Sequence, residues 1–381
     1  MNKALKVAAI VLLLLLPTGC WNSREIQYLA YITVLGVDYV DDHFTVYGQV
    51  LNFSNVAKSE SGQVGSNTPI WIGRGEGKSI TEAINSLNRT SQLRVFWSHL
   101  KTVICHERLV QNPQLIQQVT DGLNRYREIR YNVLLYGTKD ELPDILRQNS
   151  LLHLSPLDSL LNTPTQIYAQ RSYILPVYGY KIIAQSNEVA QTAILPTIAL
   201  DKGTWTAGTK KVEMFNIDGA FLFNEHKLAG WLSEPDLAGY RWMQKKLDRA
   251  LIHIPNEEKP KATLVMIKTK PHIKAAYNEG NVHFHIDLSI QAYLDEMVVD
   301  LDEHELEKQA EQVLREQIRT TYLKGVAIGA DIFQLGLNLY RSNPKEWREW
   351  MSNGGLDKNS LDQIDVHVHL LHTGKYKNRV Q

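Results

Sequence analysis

The sequence predicts an α+β protein in which β-sheets are surrounded by helices. Two observations carry this. In the first third, short runs rich in Val, Ile and Tyr alternate with helical patterns, as expected of a mixed sheet with helices packed on it. In the last third, Val282, Phe284, Ile286, Leu288 and Ile290 alternate strictly with His283, His285, Asp287, Ser289 and Gln291. That period of two marks a half-buried strand. Beyond it, Leu306, Ala310, Val313, Leu314 and Ile318 recur at the period of an amphipathic helix over 302–324.

Taken in order, residues 31–38 and 44–53 read as a β-hairpin with Asp41-Asp42 at its tip. Residues 54–69, rich in Ser, Asn, Gly and Lys, read as a loop. Ser79-Ile80-Thr81-Glu82 is a capping box: Ser79 caps a helix, Glu82 reaches back, and Ile80, Ala83, Ile84 and Leu87 form the buried face. A strand at 100–105, a helix around 113–124, a strand at 130–136 and a helix from near Asp140 follow. Residues 155–185 carry helical stretches interrupted by Pro156, Pro164 and Pro176. Residues 189–200 are extended, 214–223 and 228–232 pair around a turn at 224–227, and a helix is predicted over 234–251. Pro255 to Pro260 is polar and reads as a linker. A strand at 263–269, helices at 331–341 and from Pro344, and a last strand at 365–372 complete the chain. Breaks near Asn149 and Pro255 divide it into an N-terminal part (20–150), a middle part (151–255) and a C-terminal part (256–381).

Residues 1–19 have the three-part layout of a secretory signal: Lys3 and Lys6, the apolar run Val7 to Leu16, then Pro17-Thr18-Gly19 before Cys20. The apolar run is about half the ~20 residues that a membrane span needs. A signal ending at cysteine is that of a lipoprotein, whose thiol takes a diacylglyceryl group before cleavage, so Cys20 is the expected lipidation site. Pro17 stands where leucine is common in such signals. Cys105 is the second of two cysteines and, in the run Thr102-Val103-Ile104-Cys105, reads as a buried small hydrophobe. The chain has 41 basic and 41 acidic side chains, and loss of Lys3 and Lys6 with the signal leaves a slight acidic excess. No basic surplus points to nucleic acid.

Candidate chemistry is thin. Gly73-Arg74-Gly75-Glu76-Gly77-Lys78-Ser79 looks like a phosphate loop, but a Walker motif would need glycine where Ile72 stands. The histidines His283 and His285, His367 and His369, with His372 close by, would approach a metal if their strands were adjacent; no cysteine and no H-E-x-x-H helix supports such a site. Asp41-Asp42, Glu257-Glu258 and the run Glu303, Glu305, Glu307 have turn, linker and helix-dipole readings. Trp347 and Trp350, three apart, read as core packing. No G-x-S-x-G elbow is present, and no catalytic, cofactor or metal residue is assigned.

Several segments resemble, in order, the Ger(x)C lipoproteins, the C subunits of spore germinant receptors. They begin with Cys20-Trp21-Asn22-Ser23-Arg24-Glu25-Ile26, Gly36-Val37-Asp38, Gly77-Lys78-Ser79-Ile80 with Glu82-Ala83, and His99-Leu100-Lys101. Gly219-Ala220-Phe221-Leu222-Phe223, Leu228-Ala229-Gly230-Trp231-Leu232 and Gly239-Tyr240 follow, then Asp331-Ile332-Phe333 with Gly336, and Pro344-Lys345 with Trp347. Gln334 stands where the family often has glycine. The resemblance implies three subdomains, each a mixed or antiparallel β-sheet with surrounding helices. It also implies a non-enzymatic receptor subunit with a palmitate-type lipid anchor at the outer face of the inner spore membrane. Its partners would be a receptor A subunit and a permease-like B subunit. The competing readings are a solute-binding lipoprotein of a transporter, which wants two lobes and a ligand cleft, and a cell-surface hydrolase.

Overall fold

The computed structural model describes residues 28–51, 69–153, 156–278 and 281–371. The signal segment, Cys20, most of the 54–69 loop and His372 lie outside the described residues.

Strands β1 (Leu29–Val40) and β2 (His43–Val50) form the expected hairpin. Asp41 and Asp42 both have positive φ, 50° and 60°, as a tight two-residue hairpin turn requires. Strand β3 (Trp71–Gly77) pairs antiparallel with β2 and leads into α1 (Ile80–Ser86). Strand β4 (Arg94–Phe96) runs parallel to the start of β1, and β5 (Thr102–His106) runs parallel to β1 further along. Helices α2 (Glu107–Val110) and α3 (Pro113–Arg125) return the chain to β6 (Leu134–Thr138), parallel to β5.

This part is buried on both sheet faces. Leu35, Val37, Val103 and Cys105 face α1 and α3. Val34, Ile104 and Tyr136 face α4 (Leu142–Arg147) through Leu142, Ile145 and Leu146. That is why β1 and β5 read as continuous apolar runs rather than alternating ones.

Helices α5 (Pro164–Gln170) and α6 (Gly179–Asn187) precede the meander β7 (Thr192–Ala207), β8 (Lys210–Asn224) and β9 (Lys227–Ser233). The sheet order is β3-β2-β1-β5-β6-β7-β8-β9, with β4 beside β1. The seam between β6 and β7 has one paired position, Gly137 with Thr197. Side chains extend it: Thr138 Oγ1 donates to the Ile198 carbonyl at 2.8 Å, and Asp140 Oδ2 accepts from the Leu200 amide at 3.0 Å. The polar stretch 201–213 lies within β7 and β8 and pairs out to Ala207 and Lys210. It is exposed around residues 202–211, so it carries no apolar period for a sequence reading to detect.

The helix expected over 234–251 is absent. That segment is turns, a short 3-10 stretch at Tyr240–Met243, and the first residues of β10 (Ala250–Ile254). Leu237, Trp242 and Leu247 are all buried, but their spacing of five is not that of one helical face.

The second sheet has the order β10-β11-β12-β13, with β11 (Ala262–Asn278), β12 (Asn281–Met297) and β13 (Leu361–Leu370). Strands β12 and β13 are parallel and the other pairs antiparallel. Residues 255–260 therefore join two paired strands of one sheet and are not an interdomain linker; proline and charge serve either role. Helix α7 (Glu303–Ala327), capped by Asp302, lays Leu306, Ala310, Leu314 and Ile318 into the core shared with Phe284, Ile286, Leu288 and Ile290. Helices α8 (Leu335–Ser342) and α9 (Pro344–Ser352) follow. The fold is thus sheets with surrounding helices, as expected, and the first two groups of strands share one ladder. Among the described residues no helix is long and apolar enough to cross a membrane.

Candidate functional site

The residues singled out in the sequence separate on inspection. Cys105 is buried, and burial, followed by the nearby Asp38 charge, pushes its thiol up to about 12. It is protonated at neutral pH and no nucleophile. The glycine run is strand β3, not a loop. A Cβ at Gly75 would lie 2.3 Å from the Ala83 carbonyl, and one at Gly77 2.5 Å from the Ala83 amide, so the glycines let α1 lie directly on β3. Ser79 Oγ accepts from the Glu82 amide at 3.2 Å, while Glu82 Oε2 accepts from the Lys78 amide at 2.8 Å.

The histidine-bearing strands β12 and β13 are adjacent, but the register pairs His285 with Gln363, and Ser289 and Gln291 with His367 and His369. The two pairs are offset by six residues along β12, and even their nearest members, His285 and His367, by four, roughly 13 Å along the strand. His285 Nε2 instead lies 2.9 Å from Asp365 Oδ2. Trp350 is buried with its ring edge-on to Phe284 at 5.5 Å, and Trp347 packs half-buried on Tyr340 at 5.0 Å.

The sequence reading missed a charged cluster at the C-terminal end of the parallel strands. Asp38 on β1 has a side chain only 4% exposed and accepts from Arg108 through Nη2 to Oδ2 at 2.6 Å and through Nε, shared between Oδ1 and Oδ2 at 3.2 Å each. Arg108 also reaches Glu141 at 3.0 and 3.1 Å. This guanidinium holds the Glu141 carboxyl below its ordinary value, chiefly by hydrogen bonding. His106 Nδ1 accepts from the Arg108 amide at 3.1 Å and so caps α2, while its buried Nε2 has no protein partner. Burial first, with the Arg108 charge adding to it and the Asp38 carboxylate opposing it, holds the imidazole below its ordinary value.

Asp38, His106 and Glu141 place one ligand atom each within 4.8 Å of one another, which would suit a metal ion. Arg108 lies among them as a fixed positive charge, so the trio fits an ion-pair network and not a cation site. The network walls a cleft of about 570 Å³ that His43, Tyr47 and Arg74 also line. A second, more apolar groove of about 450 Å³ lies between α3 and α6, over Leu135, lined by Ile116, Thr120, Asn124 and Ile183.

A third feature ties the two sheets together. Gln334 precedes α8 with φ of 60°, the left-handed region that favours glycine. Its Oε1 accepts from the Thr192 amide at 3.1 Å and its Nε2 donates to the Thr192 carbonyl at 2.8 Å. Thr192 Oγ1 in turn accepts from the Asp331 amide at 3.1 Å. The side-chain amide thus pairs with the first residue of β7 as a strand backbone would. Beside it, burial pushes the Asp331 carboxyl up to about 6.

Comparison with known proteins gives a consistent picture. The family model described as "Spore germination protein N-terminal domain" matches residues 22–200, and that described as "Spore germination B3/ GerAC like, C-terminal" matches residues 218–374. "Spore germination protein KC" of Bacillus subtilis (strain 168) is 23% identical over 394 residues, covering 96% of this chain and 94% of that protein. "Spore germination protein B3" of the same organism is 22% identical over 302 residues, covering 78% and 76%. A solved structure, "Crystal Structure of the GerBC protein", is 17% identical with a TM-score of 0.56, covering 88% of this chain and 96% of that one, and has the same fold. With both family models matched in order along almost all of it, the chain belongs to the Ger(x)C family of spore germination proteins.

Proposed function

We propose that this protein is the C subunit of a nutrient germinant receptor, a non-enzymatic scaffold that a lipid on Cys20 holds at the outer face of the inner spore membrane beside the A and B subunits. The observation that carries the reading is the ordered match of the two family models, N-terminal then C-terminal. The lipoprotein signal before Cys20 supports the anchor. The scaffold role draws support from the clusters themselves. The Arg108 network and the Gln334 clamp fix the positions of surface and sheets, and the buried Cys105 is held in its unreactive form. On this reading the two sheets, joined by the Gln334 clamp, form the body presented to membrane partners.

Deletion of the gene in a spore-former tests the role. Loss of the nutrient response and of A-subunit accumulation is expected, restored by the native chain and only weakly by Cys20→Ala. A normal response and normal receptor assembly without the protein would overturn it. The groove between α3 and α6 is of ligand size and favours the solute-binding alternative. Calorimetry of the Cys20→Ala chain against amino acids and sugars separates the two; tight binding would favour that alternative.

A further inference from the structure

Strands β1, β5 and β6 are parallel, so their N-terminal ends lie at one edge of the first sheet. The described chain begins at this edge, with Tyr28 just before β1. Tyr28 is eight positions after Cys20, a reach of at most ~30 Å even when fully extended. If Cys20 carries lipid, this edge cannot leave the neighbourhood of the bilayer.

The edge is built unlike the opposite one. Tyr28 is 60% exposed, Trp71 at the start of β3 67%, and Tyr131 before β6 79%. Leu93, beside Tyr28 through the β1–β4 pairing, is also exposed. Tyr178 and Tyr180 stack on each other, and Tyr131 meets Tyr180 edge-on at 5.9 Å. Aromatic side chains with a polar tip are the residues that settle at a lipid–water boundary. The opposite edge, where β1 and β5 end, has the exposed acids Asp41 and Asp42, while Glu76 and Glu141 there are paired with Arg74 and Arg108.

Charge follows the same division. Lys101, Arg127, Arg130 and Lys181 are exposed at or beside the aromatic edge, and none of them has a carboxylate within 4.0 Å among the described residues. Arg94 there is paired with Glu128. The local field is felt by His99, whose imidazole is held below its ordinary value by burial first and then by Arg130 and Lys101.

We infer that this edge is a membrane-contact surface for anionic phospholipid, with Tyr28, Trp71, Leu93, Tyr131 and Tyr180 entering the headgroup region and Lys101, Arg130 and Lys181 facing the phosphates. The inference rests on the anchor reading for its orientation, and it makes the anchor one of two membrane signals. A lipid chain alone leaves the body free to tumble on its tether; a basic, aromatic edge fixes which face the partners meet.

The two readings are tested apart. Incorporation of labelled fatty acid into the native chain, lost in Cys20→Ala, tests the anchor. The surface is tested on the full mature Cys20→Ala chain by sedimentation with vesicles of phosphatidylglycerol and phosphatidylcholine in equal parts, against phosphatidylcholine alone. Binding to the anionic vesicles is expected, weakening with salt. Each basic side chain near such a surface is worth roughly fivefold, so Lys101→Glu with Arg130→Glu and Lys181→Glu, which remove three such charges and add three opposite ones, should bind at least roughly a hundredfold more weakly. Tyr131→Ser should weaken binding, and Lys308→Glu, on the long helix of the other sheet, should leave it unchanged. Circular dichroism melting of each variant excludes loss of folding as the cause. Equal binding to both vesicle types, or unchanged binding by the folded triple variant, overturns the surface whether or not Cys20 takes label. So does vesicle binding that is negligible while the triple variant loses co-purification with a membrane subunit, which would make the edge a protein-docking surface.

Discussion

The Gln334 clamp allows backbone and side-chain contributions to be separated at one position. Gln334→Ala removes both bonds to Thr192 and keeps a β-carbon at φ of 60°. Thr192 is 2% exposed, so its amide and carbonyl lose partners that solvent does not easily replace. At about 1 kcal/mol per bond the loss is about 2 kcal/mol. Gln334→Gly loses the same bonds but relieves a left-handed conformation worth about 1 kcal/mol, leaving a net cost of about 1 kcal/mol. The expected order of stability is Gln, then Gly, then Ala, read by urea unfolding of the mature chain with tryptophan fluorescence. Because the bonds join the start of β7 to the turn before α8, protease cutting near residues 188–192 should rise with the same order. An alanine variant as stable as the native chain, or a glycine variant less stable than the alanine one, would refute the reasoning.

Three further outcomes follow from the described contacts. Arg108→Ala should cost about 2 kcal/mol in a denaturant melt, because Asp38 would keep a buried charge, and adding Asp38→Asn should recover part of it; the figure is below that of a fully buried pair because Arg108 is 41% exposed. Ser79→Ala should cost about 1 kcal/mol through loss of the α1 cap, measurable in the same melt. The third is a pH dependence with two opposed contributions. His106 is held low in the folded chain, so its contribution is complete above the unfolded value near 6.5 and is lost as pH falls; Asp331 is raised to about 6, so its contribution is complete below the unfolded value near 3.9 and is lost as pH rises through 6. The Asp331 rise corresponds to roughly 3 kcal/mol, and Asp331→Asn should therefore gain stability relative to the native chain as pH is raised from 4 to 7, by thermal melts across that range.

What the sequence made legible was whatever repeats along the chain. The alternation over Val282–Ala292 gave β12, and the apolar stripe of 302–324 gave α7, because each element buries one face only. The Ser79 cap was readable because its partners are three residues apart. Pairings made in space left no such trace. Asp38 and Arg108 are 70 positions apart, and Gln334 and Thr192 are 142 apart. Asp38 had drawn notice as the end of Gly36-Val37-Asp38, and Gln334 as a residue where glycine is common, but neither pattern names a partner. The expected 234–251 helix failed because buried Leu237, Trp242 and Leu247 resemble a helical composition while their spacing follows an irregular path over α7. The exposed part of the β7–β8 hairpin failed for the opposite reason, since pairing without burial leaves no hydrophobic period.

The junction between β6 and β7 has a consequence for how this protein can change over generations. A hydrogen-bonded ladder belongs to the backbone and is nearly indifferent to substitution. Here Thr138 and Asp140 supply bonds that neighbouring main chain would otherwise make, and Lys139 lies over the Trp231 ring at 3.1 Å. The joint is therefore written in side chains, and single-base changes can stiffen or loosen it without altering either flanking half. Relatives that keep the same strands can differ in how firmly the β7–β9 meander follows movements of the parallel strands, and that firmness is heritable at three adjacent codons.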